Sequence, residues 1–179
     1  MNNLVNSSYT DKNSAHSYLD VYETLFSPIR TSCTRILEVG VFHGGSIDLW
    51  SNYFPNAEVV GVDAEYNQLC YDFSSNNRIK LFKQNAYDIN FVESLGYGTF
   101  DIVIDDGPHT HQSMKDFAAM YSKLLKPNGI LVIEDIQSCD WIPSILSCLP
   151  PNMKQNVVVY DRRHIKDRYD DILIVARNS

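Results

Sequence analysis

Seven short apolar runs alternate with segments of helical period, and this alternation constrains the fold more than any other feature of the chain. The predicted strands are Ile36–Val39, Val59–Val62, Ile79–Phe82, Phe100–Ile104, Ile130–Ile133, Val157–Tyr160 and Ile172–Val175. The predicted helices between them are Ser46–Tyr53, Tyr66–Ser74, Ile89–Leu95, His111–Leu124 and Trp141–Leu149. Near-continuous runs of Val, Ile and Leu separated by helices indicate a parallel sheet covered on both faces.

The two ends of the chain complete this pattern. Apolar residues recur at helical spacing from Leu19 to Ile29 and predict an amphipathic leading helix. The charged connection Asp161–Asp171 is loop-like, so the last strand is expected to return antiparallel beside its predecessor. We therefore predict a Rossmann-like, doubly wound α/β fold with a seven-stranded, mostly parallel sheet and an antiparallel last strand. The chain contains no internal repeat or linker, so we predict one domain over residues 1–179. Residues 1–34 of this domain form an N-terminal segment and the leading helix.

Composition narrows the function classes. The net charge of −7 argues against a nucleic-acid partner, because phosphate contacts require a basic face. The N-terminus lacks the charged and apolar regions of a signal peptide, and no apolar run approaches the ~20 residues that span a bilayer. The scattered Cys33, Cys70, Cys139 and Cys148 are expected to be reduced thiols. We expect a cytoplasmic protein with no membrane partner.

A glycine-containing turn follows the first strand and opens the next helix. It runs from Glu38 to Ser46 with glycines at 40, 44 and 45, and Asp63 ends the second strand about 20 residues beyond it. A carboxylate at that place can accept hydrogen bonds from both hydroxyls of a ribose. The turn lacks the second glycine that makes room for a pyrophosphate, which disfavours NAD. The pattern favours an adenosine-type ligand without a pyrophosphate.

Paired carboxylates follow two further strands. The run Asp101–His109 ends in Asp105 and Asp106, a turn and a histidine, and Ile130–Ile133 is followed by Glu134 and Asp135. The carboxyl ends of neighbouring parallel strands meet in the crevice where such sheets bind ligands. Grouped oxygen ligands suit a hard cation such as Mg²⁺. His109, three residues from Asp106, is a candidate base.

The cofactor half resembles the class I S-adenosylmethionine-dependent methyltransferases. The resemblance rests on the motif Ile36–Gly40, on Asp63 and on the seven-strand pattern with its closing hairpin. It implies a cofactor site formed by Glu38, Gly40, Gly44, Ser46, Asp63, Ala86, Tyr87 and Asp105. Two alternatives remain open. The segment Gln84–Asp88 could be an ordinary connection in which Asp88 caps a helix, and Asp105 could satisfy only backbone donors at its strand end.

The second half is similar to the metal-dependent sugar O-methyltransferases of macrolide biosynthesis, and to the cephalosporin hydroxylase-like and rhamnosyl O-methyltransferase group. The similarity lies in Asp105–His109 followed by Glu134 and Asp135, although Pro108 replaces the usual serine and removes one hydroxyl. It implies that Asp106, Glu134 and Asp135 bind Mg²⁺ and that His109 is the general base. Thr10–Lys12, His16–Tyr18 and Tyr22 also resemble the lead-in of this group.

These residues predict S-adenosylmethionine- and Mg²⁺-dependent methyl transfer to a hydroxyl of a sugar or glycan. A sugar hydroxyl is a weak acid and needs both a Lewis acid and a base, and a metal that chelates two neighbouring hydroxyls favours a vicinal diol. A catechol-type methyltransferase, a hydroxylase-like relative and a cofactor-binding module without turnover remain alternatives. Glu134 and Asp135 could also simply cap the following helix. A homodimer is possible.

Overall fold

Seven strands and seven α-helices make up the chain in the computed structural model, which describes residues 1–179. The strands are β1 (Arg35–Val39), β2 (Glu58–Asp63), β3 (Ile79–Lys83), β4 (Phe100–Asp105), β5 (Leu125–Ile133), β6 (Val157–Asp161) and β7 (Ile172–Arg177). The helices are α1 (Leu19–Phe26), α2 (Gly45–Tyr53), α3 (Ile89–Ser94), α4 (His111–Tyr121), α5 (Ile142–Ser147), α6 (Pro151–Lys154) and α7 (Arg163–Lys166). Short 3₁₀ turns follow α1 and α4 and precede α5.

The strands form one sheet in the order β3-β2-β1-β4-β5-β7-β6. The first five strands are parallel, and β7 is antiparallel to both β5 and β6. This arrangement confirms the predicted Rossmann-like sheet with an antiparallel last strand. The strand order reverses between β1 and β4, and ligands bind outside the carboxyl ends of the strands at such a point.

Alternate residues of the central strands face two separate apolar layers. In β5, Leu131 and Ile133 pack on one side of the sheet, whereas Ile130 and Val132 pack on the other. All four side chains are buried, which explains the continuous apolar runs in the sequence. The first layer includes residues of α3, α4 and α5, and the second includes residues of α1 and α2. No helix is both long enough and apolar enough to cross a membrane.

The connection between β2 and β3 corrects one prediction, because Tyr66–Ser74 contains no helix. The N–H of Cys70 donates to the carbonyl of His43 at 3.1 Å and is therefore not part of a helical hydrogen bond within Tyr66–Ser74. Leu69 and Phe73 are half-buried against Gly44. The apolar residues that suggested a helical face therefore cover the glycine turn instead. A smaller correction concerns Asp161–Asp171, which includes the one-turn helix α7.

Candidate active site

A cavity of about 1100 Å³ lies at the carboxyl ends of the central strands. Its lining residues are Ser7, Ser8, Tyr9, Thr10, Asp11 and Ser14 from the N-terminal segment, Val39–His43 and Ser46, Val62–Ala64, Lys83–Tyr87, Asp106–His109, and Asp135. The cavity therefore brings the glycine turn, Asp63 and Tyr87 together with Asp106, His109 and Asp135. The N-terminal segment forms a wall of it that we did not predict from sequence.

Asp63 lies in the cavity and also shapes the glycine turn. Its Oδ2 accepts hydrogen bonds from the N–H groups of Val41 at 2.8 Å and Phe42 at 3.1 Å. Its Oδ1 accepts one from the N–H of Glu65 at 3.2 Å. The carboxylate is thus held in a fixed orientation in the cavity wall.

Ala86 and Tyr87 form another part of the cavity wall, while Asp105 lies behind it. The Tyr87 hydroxyl donates to Asp105 Oδ1 at 3.4 Å, and Asp105 is 3% exposed. Burial, followed by the neighbouring charge of Asp106, raises the pKa of Asp105 to about 8. The helix cap weighed for Asp88 is present, because its side chain accepts from the N–H groups of Asn90 and Phe91.

Glu38 and Gly44 do not line the cavity. Glu38 is fully buried, and its Oε2 accepts a 2.5 Å hydrogen bond from the Ser46 hydroxyl. Gly44 precedes α2 with a φ of +88° and lies against the β2–β3 connection. Of the predicted cofactor residues, Gly40, Ser46, Asp63, Ala86 and Tyr87 therefore reach the cavity directly.

Asp106, His109 and Asp135 form a compact group at the other side of the cavity. His109 Nε2 lies 3.8 Å from Asp106 Oδ1 and 3.6 Å from Asp135 Oδ2. Ligand atoms of all three residues lie within 4.8 Å of one another. The sequence prediction that β4 and β5 deliver carboxylates to one place is confirmed by this geometry.

Two residues of this group have a strained backbone. His109 has a φ of +52° and Asp135 a φ of +55°, a left-handed conformation that non-glycine residues rarely adopt. Each such residue costs about 1–3 kcal/mol and persists where the surrounding structure requires it. Here the turn after each strand directs the side chain into the cavity.

Asp135 is anchored from behind by residues of the lead-in. Its Oδ1 accepts a hydrogen bond from the Tyr18 hydroxyl at 2.6 Å, and His16 Nδ1 lies 3.3 Å away. Burial, followed by the charge of Asp106, raises the pKa of Asp135 to about 8. Its other oxygen, Oδ2, points to His109 and to the cavity.

Glu134 lies beneath the cavity and is 1% exposed. Both of its oxygens are 2.8 Å from the Lys12 ammonium, and Oε1 also accepts from the Tyr22 hydroxyl. Glu38, Asp106 and Glu134 form a second carboxylate group, and Lys12 contacts all three members. Sequence reasoning assigned no role to Lys12, Tyr18 or Tyr22. The sequence pointed to these three residues only through the resemblance of the N-terminal segment to that of the sugar O-methyltransferase group.

The fold is Rossmann-like, with one cavity that joins the glycine turn to the carboxylates at the strand ends. A family model described as a methyltransferase domain matches residues 37–136, more than half of the chain. The chain belongs to this methyltransferase-domain family. The match covers the strands β1, β2, β3, β4 and β5 and therefore both halves of the cavity.

The curated relatives include two enzymes that are named as O-methyltransferases. Mycinamicin VI 2''-O-methyltransferase of Micromonospora griseorubida is 31% identical over 136 residues, which cover 70% of this chain and 33% of that protein. Demethylmacrocin O-methyltransferase of Streptomyces fradiae is 30% identical over 152 residues, which cover 79% of this chain and 37% of that protein. The chain spans about a third of the length of these relatives. The predicted resemblance to this group is confirmed.

The MycE methyltransferase of the mycinamycin biosynthetic pathway has a similar structure. A complex of MycE with Mg, SAH and mycinamycin VI superposes with a TM-score of 0.72 at 25% identity, covering 97% of this chain and 54% of MycE. A complex with Mg and SAH superposes with a TM-score of 0.68 at 23% identity, covering 93% of this chain and 50% of MycE. These superpositions confirm the predicted fold.

Proposed function

We propose that this chain transfers a methyl group from S-adenosylmethionine to a hydroxyl of a sugar or glycan, assisted by Mg²⁺. One observation carries the proposal: Asp63 and the group of Asp106, His109 and Asp135 line the same cavity. Methyl transfer requires the donor and the acceptor to lie side by side in one such cavity. The relatives named as O-methyltransferases of macrolide sugars support the acceptor class.

The donor side of the cavity fits an adenosine ligand. Asp63 would accept hydrogen bonds from the ribose hydroxyls, while the turn at Gly40 and the wall of Ala86 and Tyr87 bound the space beside it. Glu38 and Asp105 lie behind this wall. We infer that Glu38 acts through Ser46, and that Asp105 supports the Tyr87 hydroxyl.

The acceptor side fits a divalent cation. Asp106 Oδ1 and Asp135 Oδ2 face each other across His109, and no other internal donor occupies them. Glu38, Asp106 and Glu134 contact one lysine and Asp135 lies beside His109, so the oxygens of four carboxyl groups outnumber the cationic side chains here. Oxygen donors in such excess are the set that Mg²⁺ prefers. Asp106 and Asp135 would hold the ion, and the sequence prediction that Glu134 also binds it stays a prediction.

The residues present account for each part of the reaction. A cation held by Asp106 and Asp135 would lower the pKa of the acceptor hydroxyl and align it. His109 takes the acceptor's proton on Nε2, the nitrogen that faces the two carboxylates. The acceptor oxygen forms a bond to the methyl carbon, while the carbon–sulfur bond breaks and its electron pair stays on sulfur. Tyr18 holds Asp135 in place throughout.

Transfer of labelled methyl from S-adenosylmethionine to a panel of glycosides tests this proposal. The panel should include rhamnosides with vicinal hydroxyls, free catechol as a rival acceptor, and parallel reactions in EDTA. Labelled glycosides that appear only with Mg²⁺ support the proposal. Label on catechol alone favours the catechol-type enzyme, and a mass gain of one oxygen favours the hydroxylase-like relative. Tight cofactor binding with no product on any acceptor favours a binding module.

A further inference from the structure

Lys12 is a buried cation beneath the candidate active site, and the proposed reaction has no role for it. Its Nζ lies 2.7 Å from Asp106 Oδ2, 2.8 Å from both oxygens of Glu134 and 3.2 Å from Glu38 Oε1. Its side chain is 0% exposed. The three N–H groups of the ammonium donate to Asp106 Oδ2 and to the two oxygens of Glu134, whereas Glu38 Oε1 is an ion-pair partner without a hydrogen bond. Lys12 is therefore fixed from three sides and does not reach the cavity.

The charge of Lys12 is retained despite burial. Burial by itself would lower the pKa of Lys12, but the carboxylates of Asp106, Glu134 and Glu38 outweigh burial and raise it above its ordinary value. The partners lie on three different strand ends, after β4 and β5 and within β1. Lys12 thus joins the N-terminal wall of the cavity to the strands that deliver both halves of the site.

The contacts of Lys12 divide the oxygens of Asp106 between two tasks. Oδ2 accepts from the ammonium, and Oδ1 faces His109 and the cavity. The same ammonium, together with the Tyr22 hydroxyl, engages both oxygens of Glu134 beneath the cavity. Tyr18 divides the oxygens of Asp135 in the same way, holding Oδ1 and leaving Oδ2 toward His109. The two oxygens that remain without a hydrogen bond, Asp106 Oδ1 and Asp135 Oδ2, are the two that face His109.

We propose that Lys12 is a positioning residue for the cation site. Its ammonium holds Asp106 Oδ2, so that Asp106 Oδ1 stays directed toward the cavity and is available to the cation together with Asp135 Oδ2. This inference rests on the proposed function, because it concerns the cation of that reaction. Groups that orient metal ligands typically contribute about 10- to 100-fold to metal affinity.

A charge-matched double variant separates positioning from net charge. Lys12→Met leaves the cluster one charge more negative, and adding Glu38→Gln restores its wild-type charge without the bridging ammonium. Lys126→Met is the matched control, because Lys126 pairs with Asp101 at 2.8 Å at the opposite end of β4. The measurements are Mn²⁺ affinity by electron paramagnetic resonance and the thermal midpoint of each variant.

We expect the double variant to melt near the Glu38→Gln single variant and to bind Mn²⁺ about 10- to 100-fold more weakly than the wild type. Lys126→Met should bind Mn²⁺ like the wild type. Affinity within about twofold of the wild type in the double variant would overturn the positioning role. A wild-type protein that binds no Mn²⁺ would instead remove the cation from the proposed function.

Nitrogen NMR of lysine ammonium groups tests the same point in the wild-type protein and does not depend on how the variants fold. A buried ammonium held by three carboxylates exchanges slowly with water, so the Lys12 signal should be visible. Saturation with Mg²⁺ should shift this signal and leave it intact. Loss of the signal on Mg²⁺ binding would mean that the ion displaces the ammonium, which overturns the inference.

Discussion

The backbone of Gly40 lies directly against the carbonyl oxygen of Asp106: a Cβ added at residue 40 would meet that oxygen at 1.9 Å. Gly40 directly follows β1 on the donor side, and Asp106 begins the turn that leads to His109. The N–H of Asp106 also donates to the carbonyl of Val39 at 2.9 Å. Donor turn and acceptor carboxylate are therefore held at a fixed separation by neighbouring strands.

Gly40→Ala tests this contact. The residue has a φ of +93°, which costs an alanine about 1–2 kcal/mol, and the overlap with Asp106 adds to that cost. We expect the free energy of unfolding to fall by more than ~2 kcal/mol. Gly98→Ala is the control, because Gly98 has a φ of +63° and no atom near its would-be Cβ. Equal losses in urea unfolding of the two variants would argue against the close approach.

Asp63→Ala should weaken S-adenosylhomocysteine binding. Two charge-assisted hydrogen bonds to a ribose amount to roughly 3 kcal/mol, or about a 100-fold loss of affinity. Calorimetric titration measures the loss, and circular dichroism checks that the fold is intact. Glu65→Ala, at an exposed position two residues after Asp63, should bind like the wild type. Unchanged affinity in Asp63→Ala would place the ribose elsewhere.

Asp106→Asn and Asp135→Asn should each abolish Mg²⁺-dependent methyl transfer. Each change removes one of the two charged oxygens that face His109, and oxygen ligands without charge hold Mg²⁺ more weakly. EDTA should have the same effect on the wild type, reversed by added Mg²⁺. Asp140→Asn, at an exposed position before α5, is the control and should remain active. Full activity in the chelator would exclude a required cation.

His109→Asn should lower the methyl-transfer rate by about 10²–10⁴ while the affinities for Mn²⁺ and S-adenosylhomocysteine stay near wild type. A general base acts on the rate, whereas a metal ligand would also change the cation affinity. His164→Asn, in the exposed helix α7, is the control. If His109→Asn loses Mn²⁺ affinity more than tenfold, His109 is a ligand and not only a base.

Asp105→Asn should change how stability depends on pH. The pKa of Asp105 is raised to about 8 by burial and by Asp106, so the folded protein retains its proton where the unfolded chain releases it. The stability that this group contributes is full below about pH 4 and is lost as pH rises through 8. The amide introduced at residue 105 does not titrate, so the variant does not lose stability in this way. Between pH 5 and 9 its free energy of unfolding should therefore rise relative to that of the wild type.

The matched control for this prediction lies on the same strand. Asp101 is on β4, and its pKa is lowered: burial opposes the shift, and hydrogen bonds from Lys126, Thr34 and Arg35 outweigh it. Its contribution is present above the unfolded pKa and lost only as pH falls, so Asp101→Asn should show no added slope between pH 5 and 9. Urea unfolding at pH 5, 7 and 9 measures both variants. Parallel curves for Asp105→Asn and the wild type would contradict the raised pKa.

Much of the donor and acceptor geometry was predictable from the sequence, because it follows from strand ends. Asp63 closes an apolar run, Asp106 and Asp135 each lie two residues after one, and parallel strands deliver their carboxyl ends to one edge. The Tyr66–Ser74 helix was wrongly predicted because its apolar residues depend on a long-range contact and not on local structure. Its apolar spacing serves a long-range contact with Gly44, which local periodicity cannot distinguish from a helical face.

The sequence by itself determined the strands, their parallel arrangement and the carboxylates at their ends, since each depends on residues close together in the chain. Only the tertiary structure decided which carboxylate oxygens face the cavity. That choice depends on Lys12, Tyr18 and Tyr22, which lie 94 to 122 residues from their partners in sequence. A buried charge is costly unless an opposite charge lies beside it, and here the fold supplies that partner from a distant part of the chain. Local sequence patterns therefore do not predict the pairing.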